Sequence, residues 1–311
     1  MAGRRRSSPS DPLVLALFGP TASGKSAVAE ALAELTPAET VSADSMQVYR
    51  GLPILTNQPA METTLVAIWD LDHEASVAEY AELAHAAIDG ALEAGRTPVV
   101  VGGTGLYFRA ALAELDVPPA PPPGARQRWN RVYDWLGPEG THAALAARDS
   151  VAAATVHPND RRRVVRALEL NDAGSSLRPG QDRLWTGETR QPTFVVGLEM
   201  TREELARRID ERAREMLRRG AAEEARAALA GPISSTASKV IGLREAAELP
   251  PDEAIAAIAL RTRQYAAYQR KWMRRIPGLV SVRGDRAPRD TALEILDLAS
   301  RRKPLSARRP S

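Results

Sequence analysis

Along the first hundred residues the apolar positions follow two rhythms. Residues 13 to 19, "LVLALFG", are apolar without a break, as in a strand buried on both faces. "GKSAVAEALAEL" (24–35) then spaces Val28, Leu32 and Leu35 as one stripe of a helix. "TVSAD" (40–44) reads as a short strand ending in a polar residue, and "VAEYAELAHAAIDGALEAG" (77–95) as a helix stopping at Gly95. "TPVVVGGTG" (97–105) is a second buried strand, ending in glycines. Strands alternating with helices predict an α/β fold, a parallel sheet flanked by helices. Ligands bind such sheets at the carboxyl ends of the strands, so Asp44 and Thr104 are expected close to the loop after the first strand.

The pattern changes at "VPPAPPPG" (117–124), which fits neither a helix interior nor a central strand. Short helical pieces follow at 125–136, 141–149 and 160–170, then a polar loop over 171–185. Residues 115–192 are read as a helical insertion. "TFVVGLEM" (193–200) returns to the sheet, followed by long helices at 201–219 and 252–276 and a strand near 278–282. The expected organisation is a core of residues 12–114 and 193–300, the insertion, and disordered basic tails at 1–11 and 302–311. No internal repeat is visible.

Composition narrows the class without deciding it. The chain has 311 residues, 44% hydrophobic and 26% charged, which is ordinary for a soluble globular protein. No apolar run reaches the length of a membrane span, and the basic N-terminus is not followed by a signal-peptide core. With no cysteine, disulfides and thiolate metal sites are excluded. A cytoplasmic monomer is the expectation. Net charge is only +3, yet arginine clusters at "DRRRVVR" (160–166) and in "QRKWMRR" (269–275). Such patches either track a nucleic-acid backbone or form a solvated helix face.

"GPTASGKS", residues 19–26, fits the phosphate-loop pattern G-x-x-x-x-G-K-[ST] at Gly19, Gly24, Lys25 and Ser26, in the strand-to-helix context the motif needs. The glycines allow unusual dihedrals and close approach of the backbone. In the loop that opens with Pro20, the backbone N–H groups of Thr21, Ala22, Ser23 and beyond, with the helix N-terminus, would face an anion. Lys25 supplies a point charge, and the Ser26 hydroxyl can ligate Mg²⁺. A nucleotide-hydrolysing site would also need an acid at the end of an apolar strand to hold that metal. Here the strand ends in Gly102, Gly103 and Thr104, and the nearest acid is Asp44 on another strand. A diphosphate that is not part of a nucleotide fits this arrangement. Asp44 itself reads either as a general base or as a cap on the segment after it.

Several segments in this order resemble the tRNA dimethylallyltransferases, also called tRNA isopentenyltransferases: "GPTASGKS", "SADSMQVYRG" (42–51), "VVVGGTGLYFRAAL" (99–112), "HPNDRRRVVRALE" (157–169), "RIDERAREML" (208–217), "KVIGLRE" (239–245) and "RTRQYAAYQRKWMRR" (261–275). The resemblance covers about residues 13–276. It implies a P-loop NTPase-like core and transfer of a dimethylallyl group from dimethylallyl diphosphate to N6 of the adenosine on the 3′ side of the tRNA anticodon. The loop would then hold a leaving diphosphate, with Mg²⁺ as cofactor. Asp44 would accept the amine proton, Thr104 would sit beside the reacting centre, and Arg212 would reach the diphosphate, its other reading being a surface helix charge. Asp44, Ser45, Met46 and Gln47 would meet an extruded base, Gln47 reading an adenine edge or else stabilising its loop. The helical insertion would grip the anticodon stem-loop. Arg126, Arg161, Arg162, Arg163, Arg166, Lys239, Arg244, Arg270, Lys271 and Arg274 would contact the RNA.

The chain departs from the family's pattern at four places. Gln58 replaces a lysine, "AIWDLDHE" (67–74) replaces a histidine-containing segment, with His73 either standing in for that histidine or lying at the surface, and Leu243 replaces an aromatic residue. Ala267 and Tyr268 replace two basic residues. Two other functions remain open at the level of sequence. A small-molecule kinase would need the missing metal-holding acid, and an RNA-binding module would bind tRNA without turnover.

Overall fold

The computed structural model describes residues 13–115, 122, 124–177, 183–301 and 305. Strands β1 (Val14–Phe18), β2 (Ala38–Ala43), β3 (Thr97–Gly102), β4 (Thr193–Glu199) and β5 (Val280–Arg283) pair in the order β2-β3-β1-β4-β5, each neighbour parallel. Leu15 stands opposite Val99 on one side and Phe194 on the other, so β1 is central. The strand expected over 40–44 ends at Ala43, which leaves Asp44 as the first residue beyond it.

Helices α1 (Lys25–Leu35), α2 (Val77–Glu93) and α3 (Gly105–Leu112) belong to the first half of the sheet. Alternation along β1 decides which helix each residue meets. Leu15 and Leu17 join Val28 and Leu32 of α1 and Ile295 of α11 (Pro288–Arg301) in one core. Phe18 faces the opposite way, its ring edge-on to Phe108 of α3 with centroids 5.1 Å apart. Tyr80 of α2 stacks against Tyr107 of α3 at 4.4 Å and donates its hydroxyl to the Ser42 carbonyl at 2.9 Å. Beyond β4, helices α7 (Arg202–Arg218), α8 (Ala221–Leu229), α9 (Leu243–Glu248) and α10 (Pro251–Met273) build a further core with Leu52 and Leu55. Among the described residues no helix is long and apolar enough to cross a membrane.

The order of crossing places the site. From β1 the chain crosses to β2 on one side of the sheet, and from β3 it later crosses to β4 on the other. The loops leaving β1 and β3, neighbours in the sheet, therefore diverge and open a crevice at their carboxyl ends. The phosphate loop and the Gly102–Thr104 turn are those two loops.

Residues 115–184 form a compact unit of their own, whereas the sequence pattern carries the insertion to 192. Within it, α4 (Ala125–Arg148), α5 (Ser150–Ala153) and α6 (Arg161–Asp172) close over Trp129, Tyr133, Leu145, Val164 and Leu168. In α4, Gly137 has φ 70° and ψ −178°, with Pro138 next, so two helical pieces meet at a kink, in keeping with the sequence pattern. In the sheet-bearing unit the chain returns beside its own point of departure. Arg190 N–H donates to the Leu112 carbonyl at 2.8 Å, and the Arg109 guanidinium donates to Thr186 O at 3.0 Å. The expected tails lie outside the described residues, apart from Leu305, whose backbone bridges Thr193.

The sequence pattern does not mark helix α3, because only Leu106 of its eight residues is exposed and no amphipathic stripe results. Its first residue, Gly105, is pressed under α10. A Cβ there would stand 2.1 to 2.6 Å from the Trp272 ring. Gly105→Ala therefore forces Trp272 out of place at roughly 1–3 kcal/mol. We expect the melting temperature of Gly105→Ala to fall by several degrees, and an unchanged value would show that the helix yields freely.

Candidate active site

Each turn of the crevice has a local cause. The phosphate loop starts at the buried end of β1, where Gly19 and Pro20 are both buried. Ala22 and Gly24 take left-handed backbone angles, φ 64° and 89°. The second suits a glycine, whereas the alanine holds its angle at some cost in strain. Ser23 is buried, and its hydroxyl has no hydrogen-bond partner among the described residues. Lys25 Nζ donates to the Pro20 carbonyl at 2.8 Å, closing the loop on itself, and Ser26 follows in the first turn of α1.

Three other elements converge on this loop. Arg212, on α7, donates from Nη1 to Thr21 Oγ1 at 2.9 Å. One turn earlier on the same helix, Arg208 Nε donates to Glu204 at 2.6 Å, while its Nη1 lies 3.7 Å from where a Gly24 Cβ would stand. From β2, Asp44 Oδ1 accepts the Met46 N–H at 2.9 Å, a tight turn that holds the carboxylate at the strand end. Among the described residues nothing donates to Asp44 Oδ2. The capping reading and the chemical reading of Asp44 thus describe different oxygens. From β3, Thr104 Oγ1 accepts the Ser45 N–H at 3.2 Å and lies 3.2 Å from the Tyr265 hydroxyl.

Two residues of α10 complete the site; both lie in "RTRQYAAYQRKWMRR", a segment that carries the resemblance, though the sequence assigns neither a role. Gln269 is buried, its Oε1 accepting the Thr21 N–H at 2.7 Å and its Nε2 donating to the Gly103 carbonyl at 2.9 Å. A Cβ on Gly103 would lie 2.2 Å from that Nε2, so the position has no room for a side chain. Tyr265, one turn earlier, sets its hydroxyl on Thr104. The available signal is a polar residue, Gln269, on the helical stripe that otherwise carries Ile258, Ala266 and Met273 into the core.

A cavity opens between these groups. Thr21, Asp44, Arg212 and Tyr265 line it with Thr56 and Thr262, and Met46, Leu55, Ile209, Met216, Ile241 and Ile258 make its apolar part. Burial pulls the Lys25 ammonium down to about 8, with Asp44 opposing the shift and Arg212 adding to it. Burial likewise lowers Arg212 to about 10, against the pull of Asp44. Burial also raises the Tyr265 phenol, with the Asp44 charge adding to the effect, so it remains a neutral donor. Two cations held in a partly dry crevice beside amides of a phosphate loop make an anion site.

The remaining predicted positions divide by what they touch. Gln47 is fully engaged by protein: its Oε1 accepts from the Ser42 hydroxyl at 2.8 Å and its Nε2 donates to Asn57 O at 2.9 Å. Reading a base would require it to give up these bonds. Gln58 donates to Tyr49 O at 2.8 Å and bolsters the same loop, and Leu243 is buried in the core around α7 to α10. His73 pairs with Glu79 and stacks on Trp69 at the surface. Lys239 and Arg244 are exposed on either side of Val240 and Ile241, two cavity residues, and Arg244 lies 3.7 Å from Glu248. In the helical unit Arg126 and Arg166 both reach the buried Glu169, at 2.8 and 3.2 Å, and Arg161 pairs with Asp134 at 2.6 Å. Arg162 and Arg163 are exposed.

The Lys25 shift gives a sign that can be measured with inorganic diphosphate. A bound anion raises the ammonium pKa, so binding takes up a proton wherever the free lysine has lost one. Affinity should be flat in this term below about pH 8 and fall above it, approaching about tenfold per pH unit. The ligand's own last ionisation acts in the opposite direction. Titration calorimetry from pH 6.5 to 9.5 should show the fall in the wild type and its loss in Lys25→Arg, whose charge does not titrate there. Matching profiles for the two proteins would remove Lys25 from the anion site.

Comparison with known proteins agrees with this geometry. A family model described as IPP transferase matches residues 47–276. The chain is 38% identical to the tRNA dimethylallyltransferase of Streptomyces coelicolor over 314 aligned residues, 97% of this chain and 99% of that protein. The crystal structure of the full-length tRNA isopentenylpyrophosphate transferase from Bacillus halodurans matches with a TM-score of 0.65 at 30% identity, over 94% of this chain and 96% of that one. A eukaryotic dimethylallyltransferase acting on tRNA shares the fold at a TM-score of 0.74 and 24% identity, over 95% of this chain and 82% of that one. A parallel sheet with a phosphate loop at its crevice, matched over nearly the whole chain at this identity, leaves one conclusion: the chain belongs to the tRNA dimethylallyltransferase, or IPP transferase, family.

Proposed function

We propose that this protein transfers a dimethylallyl group from dimethylallyl diphosphate to N6 of the adenosine 3′-adjacent to the anticodon of tRNA, with Asp44 as general base. The observation that carries the reading is the cavity beside the phosphate loop. Its Thr21 and Arg212 suit a diphosphate, and its apolar part, with Met46, Leu55, Ile209 and Ile258, suits a short hydrocarbon.

The chemistry follows from where charge appears. The adenine N6 lone pair attacks the first carbon of the allyl group while the bond from that carbon to the diphosphate oxygen breaks. The leaving oxygen takes the electron pair, and Lys25, Arg212 and the loop amides meet the charge as it grows there. The attacking amine becomes acidic as its nitrogen gains a fourth bond, and Asp44 takes the proton. The neutral Tyr265 and Thr104 hydroxyls hold the turn beside the reacting centre. No cluster of three or more metal-binding side chains exists among the described residues. Mg²⁺, when bound, is held by substrate phosphates, water and a few protein oxygens. The Ser26 hydroxyl would be its protein ligand, and the ion would neutralise charge on the diphosphate. The helical unit presents the exposed Arg162 and Arg163 for the RNA backbone.

Incubation with Mg²⁺, labelled dimethylallyl diphosphate and unmodified tRNA should place label in the tRNA. Consumption of ATP with no label transferred would favour a kinase instead. Asp44→Asn keeps the acceptor for Met46 N–H and removes only the base. We expect kcat to drop by roughly 10²- to 10⁴-fold with diphosphate and tRNA binding retained. Turnover near wild type in that variant sinks the assignment. Arg162→Ala with Arg163→Ala should weaken tRNA binding and flatten its dependence on salt, the slope falling by about one for each phosphate left without its arginine. An unaltered slope would make the pair a solvated surface.

A further inference from the structure

The chain has few aromatic residues, five tryptophans, six tyrosines and three phenylalanines, yet four of them form one file leading away from the crevice. The file begins at Tyr265, whose hydroxyl lies 3.2 Å from Thr104 Oγ1 and whose ring lines the cavity with Asp44. Tyr268 follows, ring centroid 6.5 Å from that of Tyr265 and planes 27° apart. Trp272 stands edge-on to Tyr268 at 6.4 Å, and Trp185 packs on Trp272 at 4.8 Å. The Arg275 guanidinium caps the file 3.6 Å from the centre of the Trp185 ring. Spacings of three and four along α10 put Tyr265, Tyr268 and Trp272 on one side of that helix.

Packing accounts for three of these rings, Trp185 being held between Trp272 and Arg275, and leaves one without an account. Trp272 lies against Gly105, and Tyr265 is bound to Thr104. Tyr268 is 54% exposed. The charges around it point the same way. Arg270, Lys271 and Arg274 form no ion pair among the described residues, whereas Arg261 and Arg263, earlier on the same helix, pair with Glu245 and Asp210. An exposed ring beside uncompensated cations is the combination that binds single-stranded nucleic acid, the ring stacking on a base and the cations following the backbone.

We propose that the exposed face of Tyr268 stacks on an unpaired nucleobase flanking the target adenosine, and so fixes the RNA loop one ring beyond the reacting centre. This rests on the reading of the protein as a tRNA-modifying transferase. The occupant is a base rather than an apolar protein surface because Lys271, three residues on and so on the same side of α10 as Tyr268, and its neighbours Arg270 and Arg274 have no acidic partners among the described residues. An extruded adenine is then held by its neighbour as well as by the crevice, which lowers the cost of leaving the stack.

The test uses a short anticodon stem-loop RNA and two versions of it, each with one abasic site on either side of the target adenosine. Prenyl transfer is measured for the wild type, Tyr268→Ala and Tyr268→Phe. Tyr268→Ala should raise KM for the intact RNA by about 5- to 100-fold and leave KM for dimethylallyl diphosphate and the salt slope where they were. Tyr268→Phe should behave as wild type, since stacking needs the ring and not the hydroxyl. One of the two abasic RNAs should cost the wild type a similar factor and cost Tyr268→Ala nothing further. An unchanged KM in Tyr268→Ala, equal losses in Ala and Phe, or full additivity with both abasic RNAs would overturn the proposal. If the wild type transfers no prenyl group to any of the RNAs, the reading of the function falls instead, before the variants are compared.

Discussion

The crevice depends on one buried carboxamide. A primary amide is among the few side chains that offer a donor and an acceptor at fixed separation. Gln269 spends its acceptor on the backbone of the phosphate loop and its donor on the backbone of the next strand's turn. Each partner is a main-chain group away from water, where an unmade hydrogen bond is costly. The gap between the anion cradle and Thr104 is therefore set by the width of one amide. Gly103 is a glycine because that amide occupies the space its side chain would need. The same helix carries Tyr265 to Thr104 one turn earlier, so a single rigid rod registers two loops that come from different strands.

The electrostatics are arranged in advance of any ligand. Lys25 and Arg212 are held where burial works against their charge, with Asp44 as a partial counterweight. Such a site is uncomfortable when empty and relieved when an anion enters. Charges fixed in this way need little rearrangement when an anion enters. The left-handed Ala22 belongs to the same pattern, with local strain accepted where the loop closes on itself.

The sheet is legible in the sequence because its strands are apolar without interruption and its early helices keep one dry stripe. The phosphate loop, Asp44 and Thr104 are legible because each ends a recognisable strand. Helix α3 is hidden because burial on nearly every side erases the polar face that marks a helix. Gln269 and Tyr265 lie in a segment that carries the resemblance, but the role of each is hidden for another reason. They lie more than 160 positions from the turn they hold, and only the packing of α10 brings them there. Gln47 sits in a motif that suggests base reading, yet its amide turns inward to its own loop. Local sequence cannot distinguish these two uses of one side chain.

The return of the chain at Arg190 to the carbonyl of Leu112 has a consequence for how the molecule can vary. The helical segment leaves and re-enters at neighbouring points, joined by a main-chain hydrogen bond and a buried guanidinium. To the sheet the excursion is a loop already closed. The entropy of closing a loop grows only with the logarithm of its length. Additions or deletions within that segment thus leave the sheet's stability almost untouched. The crevice and the helical segment are free to diverge at different rates, one bound by ångström tolerances and the other open to remodelling.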